Sequence, residues 1–374
     1  MRVLIRGTGT IGKPLIKTCL ALQEMGVVEE VMFHKWSPYW ATLGAIEDFM
    51  SCGAKLVVDA DRMADFKKLL KPHRLKPSYT FEQAVGRADV IIDCTDKGQA
   101  RKAKEALYQH VIGRKLFVAQ GSEKGFGKPF AFNINDLALV PEEDRFLQVV
   151  SCNTHQILCV LKTVALDPEN SGSFNVGNLV KARFYLGRRG ADISQGELPI
   201  GPEVGGGSHP VFGSHQAEDA ARVLQTVGVP ALDIHSAADT LNNPYMHLFH
   251  FEITLGERVT VPEVVRRFSQ NPLVAVTYET SSNKMFSEGR DRGFFGRIFN
   301  QTIVCLPNPD NEKAGSPLEV ISDGHEVIGR CLTPQDGNSL LTSLASILWF
   351  QNPDNYQDEM RNLFYKRPYL FGIV

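Results

Sequence analysis

Gly7-Thr8-Gly9-Thr10-Ile11-Gly12 stands directly behind a short apolar run, Met1-Arg2-Val3-Leu4-Ile5-Arg6, and directly before Lys13-Pro14-Leu15-Ile16-Lys17-Thr18-Cys19-Leu20. A strand, a G-x-G-x-x-G turn and an amphipathic helix in that order restrict the fold more than any other stretch. The glycines permit a tight turn, close approach of the backbone to a pyrophosphate, and close packing of helix on strand. The pyrophosphate would rest on the helix N-terminus, among its unsatisfied N–H groups. The first part of the chain is therefore expected to bind a dinucleotide, with Gly7, Thr10, Ile11 and Gly12 at the cofactor.

Strands and helices keep alternating. Ala88-Asp89-Val90-Ile91-Ile92-Asp93-Cys94-Thr95 reads as an apolar strand, and Lys97-Gly98-Gln99-Ala100 opens the next helix. Leu116 to Gln120 reads as another strand, with Gly121 as its exit. Apolar runs without strict alternation, separated by helices, imply a parallel sheet buried on both faces. Ligands gather at the carboxyl ends of such strands, which puts Thr95, Gly98, Gln120 and Gly121 on the cofactor rim. A second strand, Val31-Met32-Phe33-His34, ends in Lys35-Trp36-Ser37, where an NAD site usually carries a carboxylate for the ribose 2′-OH. Lys35 would instead attract a 2′-phosphate. NADP is expected to be favoured over NAD.

Val149-Val150-Ser151-Cys152-Asn153-Thr154-His155-Gln156 sets a cysteine at the end of an apolar run and before Ile157-Leu158-Cys159-Val160-Leu161. That pattern places Cys152 in the first turn of a helix, where N–H groups and the helix dipole favour thiolate over thiol. Thiolate is the attacking form. A thiol beside a hydride acceptor is suited to oxidising an aldehyde through a thiohemiacetal and a thioester.

Beyond Cys152 the pattern changes. Leu179 to Leu186, and His247 to Leu255 in part, alternate apolar with polar residues, the mark of a sheet with one covered face. The expected architecture is α/β. A Rossmann-type, doubly wound parallel-sheet domain (1–151, joined by a C-terminal helical segment, 337–374) precedes an α+β catalytic domain (152–336) with a mostly antiparallel sheet. Residues 196–213, rich in glycine, are expected to form a surface or active-site loop, and 307–317 a hairpin tip. Arg188-Arg189 could grip a phosphate, although neighbours on a strand point to opposite faces. His215 could donate to the same group.

The 374 residues carry 40 basic and 42 acidic side chains, a net charge of −2, which gives no ground for nucleic-acid or membrane partners. Seven scattered cysteines show neither metal-ligand nor disulfide spacing, so no metal is expected. Met1-Arg2 runs straight into the first strand, and no run approaches the ~18 apolar residues of a membrane span. A cytoplasmic location follows as an expectation.

The motifs Gly7 to Lys13, Asp93-Cys94-Thr95, Gln120 to Lys124, Val149 to Thr154, Arg188-Arg189-Gly190-Ala191-Asp192 and Met246-His247 occur in the order of one family. The chain resembles the archaeal-type (type II) phosphorylating glyceraldehyde-3-phosphate dehydrogenases. The resemblance implies a homotetramer acting on glyceraldehyde 3-phosphate, inorganic phosphate and NADP or NAD. In it Cys152 is the nucleophile and His247 the histidine that assists it by accepting the thiol proton. Asn153 and the N–H groups of its turn stabilise the oxyanion, and Asn338 is the nearest match to an Asn that holds the nicotinamide amide. Ser151, Thr154, Arg188, Arg189 and His215 match the substrate and phosphate region. The chain departs from the pattern at Arg6, usually Asn, and at His155 and Gln156, usually Thr-Gly, which add bulk beside the nucleophile. Two alternatives stay open: another semialdehyde or acyl-phosphate dehydrogenase, and an inactive NADP-binding sensor or scaffold.

Overall fold

The computed structural model describes residues 1–121, 123–191, 197–310, 315–334 and 337–374. Ser122, Asp192, Gly196 and the centre of the 307–317 tip lie outside the described residues. The chain forms two compact units. The first comprises Met1–Pro129, Val140–Val149 and Ser343–Gln357; the second comprises Phe130–Leu139, Val150–Thr342 and Asp358–Val374.

The first sheet contains β1 (Arg2–Arg6), β2 (Glu30–His34), β3 (Lys55–Val58), β4 (Tyr79–Thr80), β5 (Val90–Asp93), β6 (Leu116–Gln120), β7 (Lys128–Phe130) and β8 (Phe146–Val149). Their order is β4-β3-β2-β1-β5-β6-β8-β7. β1 pairs in parallel with both β2 and β5, with Val3 opposite Val31 and Val90. The strand order reverses between β1 and β5, the place where such sheets open a crevice for ligands. Both faces are covered, which is why these strands read as continuous apolar runs. Leu4, Met32, Val57 and Ile91 join Phe81 and Val85 in one core. Phe33, which alternates to the other face, meets Phe49 at 5.3 Å between ring centroids. The helix Gly12–Glu24 follows the glycine turn and buries Leu15, Ile16, Cys19 and Leu20.

The second sheet contains β9 (Leu179–Arg189), β10 (Ile234–Leu241), β11 (His247–Leu255), β12 (Val274–Thr277), β13 (Thr302–Cys305), β14 (Leu318–Ile321) and β15 (Glu326–Thr333). Its path is β10-β9-β11-β15-β13-β12, with β14 also on β15. The central pairs are antiparallel, as the alternation predicts. The two outer pairs, β10–β9 and β12–β13, are parallel. The helices His215–Gln225 and Ser282–Arg292 come between the partners of those pairs in sequence, as a parallel crossover requires. Phe184, Leu186, Phe249, Phe251 and Ile253 share a core with Ile157, Leu158 and Leu161 of the helix Cys152–Leu161.

Residues 203–213, expected as part of a surface or active-site loop, hydrogen-bond along β10. Glu203 and Thr240 exchange main-chain bonds at 2.7 and 2.8 Å, and the Ser236 N–H donates to the Phe212 carbonyl at 3.0 Å. The C-terminal segment divides differently from the expected 337–374 block, because 358–374 belongs to the second unit. The physical reason is a pair of buried bonds. The Phe371 N–H donates to Asn300 Oδ1 at 3.0 Å, and Asn300 Nδ2 donates to the Phe371 carbonyl at 2.9 Å.

Candidate active site

In the first unit a groove of about 570 Å³ opens beside the ends of β1 and β2, within the range of small-ligand sites. Arg6, Gly7, Thr8, Gly9, Lys35 and Thr95 line it, and Trp36 and Gln99 join them. Gly7 takes a positive φ of 98°, and a Cβ on Gly12 would fall 2.0 Å from the Gly7 carbonyl oxygen. The turn therefore requires glycine at both positions. Around Gly9 nothing stands within 4 Å of an added Cβ, which leaves room for a phosphate over the turn. Thr10 and Ile11 lead into the helix, whose first bonds are Lys13 N–H to Gly9 O at 3.0 Å and Leu15 N–H to Ile11 O at 3.1 Å. The shape and N–H display fit a dinucleotide.

Lys35 sits at the adenosine end expected for β2. Burial, and then repulsion from Lys13, hold its ammonium below the usual lysine range. Glu30 at the other end of β2 is occupied, accepting from Arg87 Nε at 2.5 Å and from the Tyr79 hydroxyl at 3.1 Å. Three rim residues have structural partners. Gly98 adopts a left-handed cap and donates its N–H to the Glu123 carboxylate. Gln120 Nε2 donates to Ser343 Oγ at 2.8 Å, and the Gly121 N–H donates to the Val149 carbonyl at 2.8 Å.

In the second unit Cys152 begins its helix. Ser151 is the N-cap, and its Oγ accepts from the Thr154 N–H at 3.3 Å and lies 2.8 Å from Thr154 Oγ1. Ser151 and Thr154 thus fix the turn that presents the thiol. His247, first residue of β11, places Nε2 3.4 Å from Cys152 Sγ. Its Nδ1 accepts the Arg189 N–H at 2.8 Å. Burial lowers the proton affinity of His247 to a pKa of about 3, helped by the positive charges of Arg189 and Arg188. A neutral ring that accepts at Nδ1 carries its hydrogen on Nε2. The expectation that His247 accepts the thiol proton therefore meets a nitrogen that already bears one. His250, three residues on, faces away to Glu252 Oε1 at 3.3 Å.

Arg188 donates to Thr240 Oγ1 at 3.2 Å, whereas Arg189 contributes its main chain to the histidine. His215 opens the Ser214-capped helix His215–Gln225, which packs on the cysteine helix. Asn153 is buried, and among the described residues its side-chain oxygen has no hydrogen-bond partner. Asn338 Nδ2 donates to the Cys152 carbonyl at 2.9 Å and to the Gln301 carbonyl at 3.3 Å, while its buried Oδ1 has no partner among the described residues.

His155 and Gln156 do not crowd the nucleophile. Both are fully buried and spend their polar atoms in the interior. His155 Nδ1 donates to the Ser151 carbonyl at 3.0 Å, and its Nε2 takes the Thr342 hydroxyl at 2.8 Å. Gln156 Nε2 donates to Thr302 Oγ1 at 2.8 Å and its oxygen accepts from Thr333. The helix buries every residue from Asn153 to Leu161, so both side chains are packed in the interior.

Glyceraldehyde-3-phosphate dehydrogenase of Pyrobaculum neutrophilum is 29% identical over 323 residues, 82% of this chain and 85% of that protein. The enzyme of that name from Methanopyrus kandleri is 28% identical over 305 residues, 78% of each chain. That from Pyrobaculum arsenaticum is 30% identical over 256 residues, 68% of this chain and 66% of that protein. The chain belongs to the archaeal-type glyceraldehyde-3-phosphate dehydrogenase family. No family model matches it, so membership rests on these similarities.

Within this family frame, three contributors escaped the sequence reading. The Arg189 main-chain N–H and the Glu123 carboxylate act through tertiary contacts that leave no local signal. Trp36 does have one, since an indole directly after Lys35 on an exposed strand end is a candidate groove wall. Among the described residues no cluster of three His, Cys, Asp or Glu could hold a metal ion.

Proposed function

We propose that the chain is a phosphorylating aldehyde dehydrogenase, converting glyceraldehyde 3-phosphate, inorganic phosphate and NAD(P) reversibly into 1,3-bisphosphoglycerate and NAD(P)H. NADP is the favoured cofactor. The observation that carries this reading is the 3.4 Å pair of Cys152 Sγ and His247 Nε2 at the start of a helix.

Cys152 attacks the aldehyde carbon as thiolate, and the carbonyl oxygen takes up the charge. Asn153 and the N–H groups of the first helical turn receive that charge. The nicotinamide cofactor, when bound, supplies the hydride acceptor. Asn338 Oδ1, without a partner among the described residues, is an acceptor suited to an amide N–H of that cofactor. Cys152 is left as a thioester, which inorganic phosphate cleaves to an acyl phosphate. Arg188, Arg189 and His215 handle the phosphate groups, with Ser151 and Thr154 holding the turn. Lys35 holds the 2′-phosphate.

The same reading carries a homotetramer in the cytoplasm. Among the described residues no helix is long and apolar enough to cross a membrane. A panel of phosphorylated and unphosphorylated aldehydes, assayed with NADP and NAD and with or without phosphate, tests the function. Phosphate-dependent reduction with glyceraldehyde 3-phosphate as the best substrate is expected. Equal or better turnover of a semialdehyde would transfer the chain to another substrate, and binding without turnover would make it a sensor.

A further inference from the structure

We propose that the first unit holds a second small-molecule site, at the starts of β6 and β8, that takes a small organic anion with an apolar body. β1, β5, β6 and β8 run parallel, so these starts lie at the opposite end of the strands from the rim that carries the cofactor groove. The site is separate from the catalytic groups and stands whatever aldehyde they turn over.

A cavity of about 260 Å³ opens there, a little below the roughly 300–1,000 Å³ of drug-sized sites. It has room for a small metabolite and none for a dinucleotide. Arg114 and Lys115 lead into β6, Asp144 and Arg145 lead into β8, and Trp349 and Phe350 come from the end of the helix Gly337–Gln351.

The charges on this wall do not balance. Glu142 and Asp144 are its acids, and both are engaged. Glu142 meets Arg114 Nε at 3.3 Å, and Asp144 Oδ2 meets Lys128 Nζ at 2.6 Å. Lys115 and Arg145 bond only to carbonyls. Lys115 Nζ donates to Gly86, at 2.9 Å, and to Ala88. Arg145 donates to Tyr108, at 3.4 Å, and to Val111, and among the described residues its buried Nε has no partner. A carbonyl satisfies a cation's hydrogen without cancelling its charge. Asp89 is the carboxylate that acts on Lys115, and Arg2 already holds it at 2.9 Å. Burial, and then repulsion from Arg2 and Arg145, keep the Lys115 ammonium below the usual lysine range. An anion in the cavity would offset both effects.

The rest of the wall is apolar, with Pro141 and Pro353 beside the two aromatic rings. At the mouth, Arg114 Cζ stands 4.4 Å from the Phe350 ring centroid, and its Nη2 donates to the Phe350 carbonyl at 2.8 Å. Glu142, its ion-pair partner, takes a left-handed φ of 71°, a costly conformation for a residue other than glycine and one that gathers at ligand clamps. Two cations on one side and aromatic and proline surface on the other suit an anionic head on a compact apolar body. Phosphate esters and carboxylates both present one.

The test uses the full chain in the presence of NADP, labelled with 5-fluorotryptophan. The chain has three tryptophans, and Trp349→Phe assigns the signal from the cavity. Phenyl phosphate and benzoate are the probes. Either should move the Trp349 ¹⁹F signal saturably, and the tighter one identifies the head group. Inorganic phosphate lacks the apolar body and benzyl alcohol lacks the charge, so each should bind at least about tenfold more weakly. Lys115→Gln and Arg145→Gln should each cost the probe about one to two powers of ten in affinity, the worth of a hydrogen bond to a charged group. A second measurement needs no altered wall: on ¹³C-methylated native chain, the Lys115 signal should titrate at higher pH when the probe is bound. A Trp349 signal that does not move, benzyl alcohol binding as well as the anions, native affinity in both variants, or an unmoved Lys115 titration overturns the proposal. None of these readouts depends on the nucleophile or the substrate being right.

Discussion

Arg6 Nη1 meets Asp93 Oδ2 at 2.8 Å, and the Tyr108 hydroxyl reaches the same oxygen at 2.8 Å. The Asp93 carboxylate is 1% exposed, so it depends on these two donors and on Thr95. Arg6 stands where the family usually has Asn, and it ties β1 to β5 at the point where the strand order reverses. Removing one partner of a buried pair leaves the other charge uncompensated, at about 3–5 kcal/mol. Arg6→Met should therefore lower unfolding stability in urea by about that amount, and Asp93→Asn in the same chain should recover part of it. A loss below about 1 kcal/mol would mean that Asp93 is held by its neutral donors alone.

Thiol labelling should separate the seven cysteines. Burial pushes Cys19 and Cys159 up to about 12 and Cys305 to about 11, and raises Cys94 and Cys331 well above the ordinary thiol range. Cys52 is exposed, and Cys152 is the one at a helix N-terminus. Substoichiometric iodoacetamide at pH 7 should modify Cys152 first and Cys52 second, with activity lost in step with the first. Cys152→Ser should abolish turnover. Inactivation that tracks Cys52 would move the nucleophile.

His155 predicts acid sensitivity. Burial lowers its pKa from the usual 6.5 to about 4. The unfolded chain then binds the proton more readily than the folded one, so stability is complete above pH 6.5 and is lost as pH falls toward 4. The difference corresponds to roughly 3 kcal/mol. His155→Gln should flatten the fall of unfolding free energy between pH 6.5 and 4, whatever its cost at pH 7. An unchanged slope would assign the acid effect elsewhere, with His247 next in line.

Local pattern was enough for the elements that position the site. The glycine turn, the continuous apolar strands and the Ser-Cys at a strand-to-helix junction all encode their geometry within a few residues. The parallel outer pairs of the second sheet were not legible, because alternation reports a covered face and says nothing of strand direction. His155 and Gln156 looked like bulk at the nucleophile because sequence gives adjacency, while the helix turns both into the core. The tautomer of His247 depends on a main-chain donor 58 residues away, which no motif records. Asn338 was found by resemblance, but its division into a committed amide nitrogen and an oxygen with no partner among the described residues needed the fold.

Cofactor choice should turn on Lys35. β2 ends without a carboxylate to hold a free 2′-OH, and Lys35 lines the groove with Trp36 beside it. A charge-assisted bond to a 2′-phosphate contributes roughly 1.5–3 kcal/mol, about one to two powers of ten in affinity. Lys35→Glu should weaken NADP by that factor and leave NAD nearly unchanged, as read by calorimetry with each cofactor. The pH dependence has a definite sign. Because burial and Lys13 hold the Lys35 ammonium below the usual lysine range, NADP affinity should fall at a lower alkaline pH than an ordinary lysine would give. Lys13→Ala removes one of those causes, and should move the fall to higher pH. A native chain that prefers NAD, or a Lys35→Glu variant with an unaltered NADP to NAD ratio, would reduce Lys35 to a surface charge and return the choice to the rest of the groove.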